Sequence, residues 1–263
     1  MVKTYTIASG KGGTGKTTLT VNLGTIIASY GKETYIMDAD MGMANLAILL
    51  GLENVPVTLH EVLAGKAPVS EAVYDGPLGV KVVPSGISLK GFQDADPEHL
   101  RDVMSEIVNH CEYLIIDAPA GISRDGVIPL AIADEVILVV NPELSSMVDA
   151  LKTKILTELI GGHVMGAILN RATLENTEVS VHKIEEVLGV KVIGLIPEDP
   201  NVRRAAAYKT PIVIKYPDSS ASKEIGRIAA KIAGKEYPET KSEISGDKFI
   251  DRLAKTLVKG GKK

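Results

Sequence analysis

Ser9-Gly10-Lys11-Gly12-Gly13-Thr14-Gly15-Lys16-Thr17-Thr18 is the stretch that decides how this chain is read. Gly10 to Thr17 satisfy the pattern G-x-x-x-x-G-K-[ST], and Lys11 adds a cation that the pattern does not require. In such a loop the glycines let successive backbone N–H groups face one concavity. Lys16 then reaches the β- and γ-phosphates, and the Thr17 hydroxyl holds Mg²⁺. The stretch predicts a site for a nucleoside triphosphate built from Gly10, Lys11, Gly12, Gly13, Thr14, Gly15, Lys16, Thr17 and Thr18.

Working outward, Thr4 to Ala8 form a short β-branched run before the loop. After it, Thr17 to Tyr30 place Leu19, Leu23, Ile26 and Ile27 at helical spacing. Strand, loop and helix come in the order such a site needs. Further apolar runs recur at 34–37, 80–83, 113–116, 136–140, 164–169 and 190–196, with helical segments between them. They lack polar alternation, as strands buried on both faces do. The expected fold is α/β, a mainly parallel, doubly wound sheet flanked by helices in a single domain. Ligand chemistry should gather at the carboxyl ends of these strands, which read Asp38, Asp117, Asn141, Asn170 and Pro197.

Two acidic segments lie where such an enzyme needs carboxylates: 37–42, after the second run, and 116–121, after the fourth. In the latter an apolar run ends in Asp117, the arrangement that holds Mg²⁺ through its water shell. Pro119 and Gly121 suit a loop that follows the γ-phosphate.

The composition is that of an ordinary globular protein: 263 residues, 45% hydrophobic, 24% charged, with a net charge of −4. That is enough chain for one large core. No stretch of eighteen apolar residues and no leader-like start is present, so the expected compartment is the cytoplasm. The single cysteine, Cys111, excludes internal disulfides and cysteine metal clusters, and it is expected as a buried, inert thiol.

With Asp38-x-Asp40 and Asp117-Ala118-Pro119-Ala120-Gly121, the loop resembles that of the deviant-Walker-A ATPases of the MinD/ParA family, the MinD branch most of all. Leu169-Asn170-Arg171 and Ile196-Pro197-Glu198-Asp199 extend the resemblance over nearly the whole chain. The resemblance implies an ATP-dependent homodimer in which Lys11 of each subunit reaches the other's nucleotide, as an arginine finger does. It assigns catalysis to Lys11, Lys16 and Asp40, with Asp40 orienting the attacking water. Mg²⁺ falls to Thr17, Asp38 and Asp117, and the adenine to Asn170, Arg171, Pro197 and Asp199. Regulatory and effector proteins of a positioning system are implied as partners.

The composition stays even to about residue 235, giving an ATPase domain over 1–235. Residues 236–246 are nearly devoid of apolar mass and read as a flexible linker. Beyond it, 247–263 read as a basic amphipathic helix. Phe249, Ile250, Leu253 and Leu257 share one face, while Lys248, Arg252, Lys255 and Lys259 project from the other. Residues 246–263 carry a net +4, which leaves −8 on the rest of the chain. This separation asks for an anionic partner. The apolar stripe points to a membrane surface at the inner face of the cell membrane, with a helix docked on the body, or a DNA contact, as the alternatives. DNA is the weaker of these, because phosphate contacts need no apolar stripe.

Overall fold

The computed structural model describes residues 2–121, 124–173 and 181–237. Its strands are β1 (Lys3–Ala8), β2 (Thr34–Asp38), β3 (Tyr74–Asp75), β4 (Lys81–Val83), β5 (Tyr113–Asp117), β6 (Glu135–Val140), β7 (Val164–Ala172) and β8 (Val192–Pro197). Between them run α1 (Lys16–Ser29), α2 (Leu46–Leu50), α3 (Leu59–Leu63), α4 (Leu89–Asp94), α5 (Leu100–Ile107) and α6 (Arg124–Ile132). There follow α7 (Leu144–Leu159), α8 (Val181–Leu188), α9 (Pro200–Ala207), α10 (Ile212–Lys215) and α11 (Ser220–Ala233).

The eight strands form one sheet in the order β3-β4-β2-β5-β1-β6-β7-β8. All neighbours pair in parallel except β3 with β4. β1 lies between β5 and β6, both parallel to it, and Tyr5, Ile7 and Ala8 are buried. Burial on both faces explains the continuous apolar runs. On one face Leu19, Leu23 and Ile27 of α1 join Ile225, Ile228 and Ile232 of α11. The opposite face carries two clusters, one under α3 and α5 around Leu59, Leu63 and Leu100, the other under α7 and α8 around Met147, Ala150 and Ile184.

The 116–121 segment follows the fifth strand, not the fourth. The strand the sequence reading lacks is β3, two residues long and antiparallel at the sheet edge, too short to leave a hydrophobic period. Cys111 is buried as expected, and burial pushes its thiol up to about 11. No helix among the described residues is long and apolar enough to cross a membrane. Tyr237 packs on α11, where a Cβ at Gly226 would come 2.4 Å from its ring. The membrane assignments Lys248, Phe249, Ile250, Arg252, Leu253, Lys255, Leu257 and Lys259 lie outside the described residues, as does most of the 236–246 linker.

Candidate functional site

Sheet order places the site. The chain runs from β1 through α1 towards β2 on one side, and from β6 to β7 and β8 on the other, so the order reverses beside β1. A crevice at the carboxyl ends opens at such a reversal. The loop from Ser9 to Gly15 lies there and leads into the amino terminus of α1, whose unpaired N–H groups favour anions.

Two glycines of this loop are dictated by their surroundings. A Cβ on Gly10 would stand 2.2 Å from the Asp149 backbone of α7, so no side chain fits there. Gly15 begins α1 in the left-handed region, with φ 98°, and its missing Cβ leaves room for the Asn170 amide, which would otherwise be 2.3 Å away. Asn170 Nδ2 donates to the Thr14 carbonyl at 2.6 Å. The end of β7 is thereby tied to the loop. Ser9 Oγ donates to the Lys11 carbonyl, and the Gly121 N–H donates to the Ser9 carbonyl at 3.1 Å.

Asp38 and Asp117 end adjacent parallel strands in register and are both buried. Burial, then the Asp117 charge, pushes the Asp38 carboxyl well up, against the hydrogen bonds it accepts from the Leu46 and Asp40 N–H groups. Asp117 is pushed up to about 7 by burial, reinforced by the Asp40 charge and opposed by the Thr17 hydroxyl and the Lys16 ammonium. Asp117 Oδ1 and Thr14 Oγ1 are buried without a hydrogen-bond partner. Orphaned oxygens beside a buried lysine are costly unless something else completes them. A hard cation would do so for Asp117, because ionised oxygens are the donors that Mg²⁺ takes. No group of three or more His, Cys, Asp and Glu side chains converges among the described residues. Mg²⁺ needs no such cage, since it keeps water and substrate phosphate as ligands. The donor set fits that ion.

Beside the loop lies a cavity of about 650 Å³, whose lining includes Gly15, Thr18, Asn170, Arg171, Pro197 and Asp199. All four residues assigned to the base therefore meet there. Arg171 adopts φ 56°, left-handed for a side chain that disfavours it. It lies where the pairing of β7 with β8 shifts register, between Leu169 and Ala172. Its guanidinium is exposed and 3.9 Å from Glu198. Asp199 lines the cavity, but its carboxylate also caps helices, accepting from the Asn201 and Ala221 N–H groups and the Ser220 hydroxyl.

Lys11 does not face the loop's own concavity. Its Nζ donates to Glu143 Oε2 at 2.6 Å and to Ser145 Oγ at 3.2 Å, both at the start of α7. Glu143 is held below the usual carboxylate range chiefly by this bond. An exposed ion pair of this kind is worth no more than about 1 kcal/mol, so the lysine can be exchanged to another anion. The sequence contains no signal for Glu143, which lies 132 residues from Lys11. Asn141, flagged only as a strand end, lines the cavity with its Oδ1 orphaned.

The model of the CobQ/CobB/MinD/ParA nucleotide-binding domain matches residues 5–212. An uncharacterized ATP-binding protein of Methanocaldococcus jannaschii is 51% identical over 251 residues, covering 95% of each chain. Among solved structures, the cell division ATPase MinD of Pyrococcus furiosus is similar at TM-score 0.85 and 34% identity, over 89% of this chain and 99% of that one. The septum site-determining protein MinD of Pyrococcus horikoshii, complexed with Mg-ADP, follows at TM-score 0.84 and 33% identity, over 88% and 96%.

Proposed function

This chain belongs to the CobQ/CobB/MinD/ParA family of nucleotide-binding domains, and we propose that it is a Mg²⁺-dependent ATPase switch whose ATP-bound form is a dimer. The observation that carries the reading is the two orphaned buried oxygens, Thr14 Oγ1 in the loop and Asp117 Oδ1, whose carboxyl feels Lys16 and Thr17. A phosphate chain with its cation supplies what both lack.

Thr17, Asp38 and Asp117 would hold Mg²⁺, which would supply positive charge against the phosphate chain. The chain's own groups do the rest. Backbone N–H groups of 10–18 cradle the phosphates, Lys16 balances their charge, and Asp40 orients the attacking water. Lys11 leaves Glu143 and reaches the partner subunit's nucleotide, stabilising charge that grows in the transition state. Asn170 reads the adenine edge, Arg171 lies against the ring, and Pro197 and Asp199 close the pocket.

The dimer associates reversibly with an anionic membrane surface through residues 247–263. Half-burying four apolar side chains yields only about 4 kcal/mol before ordering costs, so one tail anchors weakly. Two tails on one dimer gain roughly 10²- to 10⁴-fold in avidity. ATP thus loads the membrane and hydrolysis unloads it. This serves to place a division site or another cellular structure by recruiting partners.

Co-sedimentation with anionic liposomes tests the reading, with ATP against ADP, for the whole chain and for a truncation ending at Gly246. Pelleting should require both ATP and the tail. Lys11→Ala should bind ATP within about threefold of the parent yet neither dimerise, by sedimentation velocity, nor pellet. A Lys11→Ala chain that dimerises with ATP removes the trans role of the lysine. A parent that shifts duplex DNA with ATP and ignores liposomes moves the function to nucleic acid.

A further inference from the structure

His60, in the first turn of α3, is buried at 1% exposure, far in sequence from every motif of the site. Its Nε2 lies 3.1 Å from the Met41 carbonyl, and Ser85 Oγ is 3.3 Å away. A carbonyl oxygen only accepts, so this contact fixes the ring proton on Nε2. Nδ1 is left as a buried acceptor without a donor. Burial holds the imidazole below its ordinary pKa and therefore neutral.

Two glycines press the ring from the 84–92 side. A Cβ on Gly86 would stand 2.6 Å from Nδ1, and one on Gly91 3.0 Å from it. Phe92 meets the ring edge-on, with centroids 6.4 Å apart. The ring has almost nowhere else to go.

Met41 follows Asp40 directly. The Asp40 N–H is fixed to Asp38 Oδ1 at 3.0 Å, and Asp40 Oδ1 accepts from the Met43 N–H at 2.9 Å. The Ala39 N–H is tied to the Asp117 carbonyl at 2.9 Å. Asp38 and Asp117 thus hold the loop before Asp40, and the His60 bond holds it immediately after. We propose that His60 is a positioning residue for hydrolysis: through the Met41 carbonyl it fixes where the Asp40 carboxylate stands, and Gly86 and Gly91 keep His60 in place. The inference rests on the ATPase reading and on Asp40 orienting water.

The test compares His60→Leu, which keeps the bulk and loses the donor, with His60→Gln, which keeps a donor near Nε2. Gly86→Ala is a third variant, leaving both hydrogen-bonding partners intact while its methyl group pushes the ring and the neighbouring Thr58 hydroxyl. Each is assayed below its own melting temperature for ATP affinity, single-turnover hydrolysis and amide exchange at 39–46 without nucleotide. His60→Leu should bind ATP within about threefold of the parent, hydrolyse it about tenfold more slowly and exchange faster at 39–46, the loss of one oriented bond. His60→Gln should recover most of the rate, and Gly86→Ala should lose several-fold.

A parent that hydrolyses ATP while His60→Leu keeps pace within twofold overturns the proposal. So does a glutamine variant as slow as the leucine one. If His60→Leu does not fold, Gly86→Ala decides: an unchanged rate overturns the proposal, and a slowed one with intact ATP binding supports it. A parent that binds ATP and never turns it over defeats the ATPase reading instead.

Discussion

The phosphate end and the base end of the crevice are built differently. At the phosphate end the loop is made of backbone, pinned between α7 at Gly10 and α1 at Gly15, with Asp38 and Asp117 buried beneath it. The base end is made of separate side chains on β7, β8 and α9, with Arg171 exposed and Asp199 shared between the cavity and two helix caps. A grip made of backbone admits few sequences and tolerates little change. One made of side chains divides its work among residues that also serve other ends.

Changes at the phosphate end should therefore cost most. Gly10→Ala puts a methyl group into the α7 backbone, where nothing can give cheaply. ATP binding, followed with a fluorescent nucleotide, should drop by 100-fold or more (roughly 3 kcal/mol), or the chain should fail to fold, as overpacking against main chain does. Tolerance of alanine would erase the contrast between the two ends.

Asp117→Asn sharpens it in another way. A carboxyl with its pKa at about 7 in the folded chain and near 4 unfolded binds its proton more tightly when folded, so stability is lost as pH rises from about 4 to 7. The asparagine variant removes that loss. Without nucleotide it should melt higher than the parent at pH 7.5, by less at pH 5 and nearly equally at about pH 4, while Mg²⁺-dependent hydrolysis falls by about 100-fold or more. A lower melting point at pH 7.5 would show that the carboxylate stabilises the empty site.

At the base end a single deletion should cost less. Asn170→Ala removes the tie to the Thr14 carbonyl and the group assigned to the adenine edge. ATP affinity should weaken about tenfold, and the preference for ATP over GTP should shrink by a similar factor. A mutant that weakens both nucleotides equally would make Asn170 a brace for the loop and nothing more. The smallest effect belongs to Glu143→Gln. Breaking an exposed pair should leave the melting temperature within about 1 °C and favour ATP-dependent dimerisation by no more than a few-fold. A large gain would mean that the Lys11 contact restrains the lysine far more than its exposure suggests.

The same contrast governs what was legible. The loop declared itself because glycines and lysines at fixed spacing have few other uses, and the parallel sheet because strands buried on both faces read as unbroken apolar runs. Strand β3 did not, being two residues at an edge. Glu143 and His60 were invisible for another reason: their contacts, to Lys11 and Met41, are made across 132 and 19 residues by folding alone. Asp199 was legible as a cavity residue, while its helix caps became apparent only once α9 and α11 were seen to start beside it.

Strand order also ranks how long each part of the site survives. β1, which carries the phosphate loop, is zipped to neighbours on both sides, whereas β8, which carries Pro197, is the outermost strand of its half of the sheet. Edge strands fray at lower free energy than interior ones. In a molecule that opens transiently, the Pro197 side of the cavity should therefore come apart before the loop at β1. A nucleotide bound as proposed should then depart base first, swinging on its phosphates like a gate on a hinge.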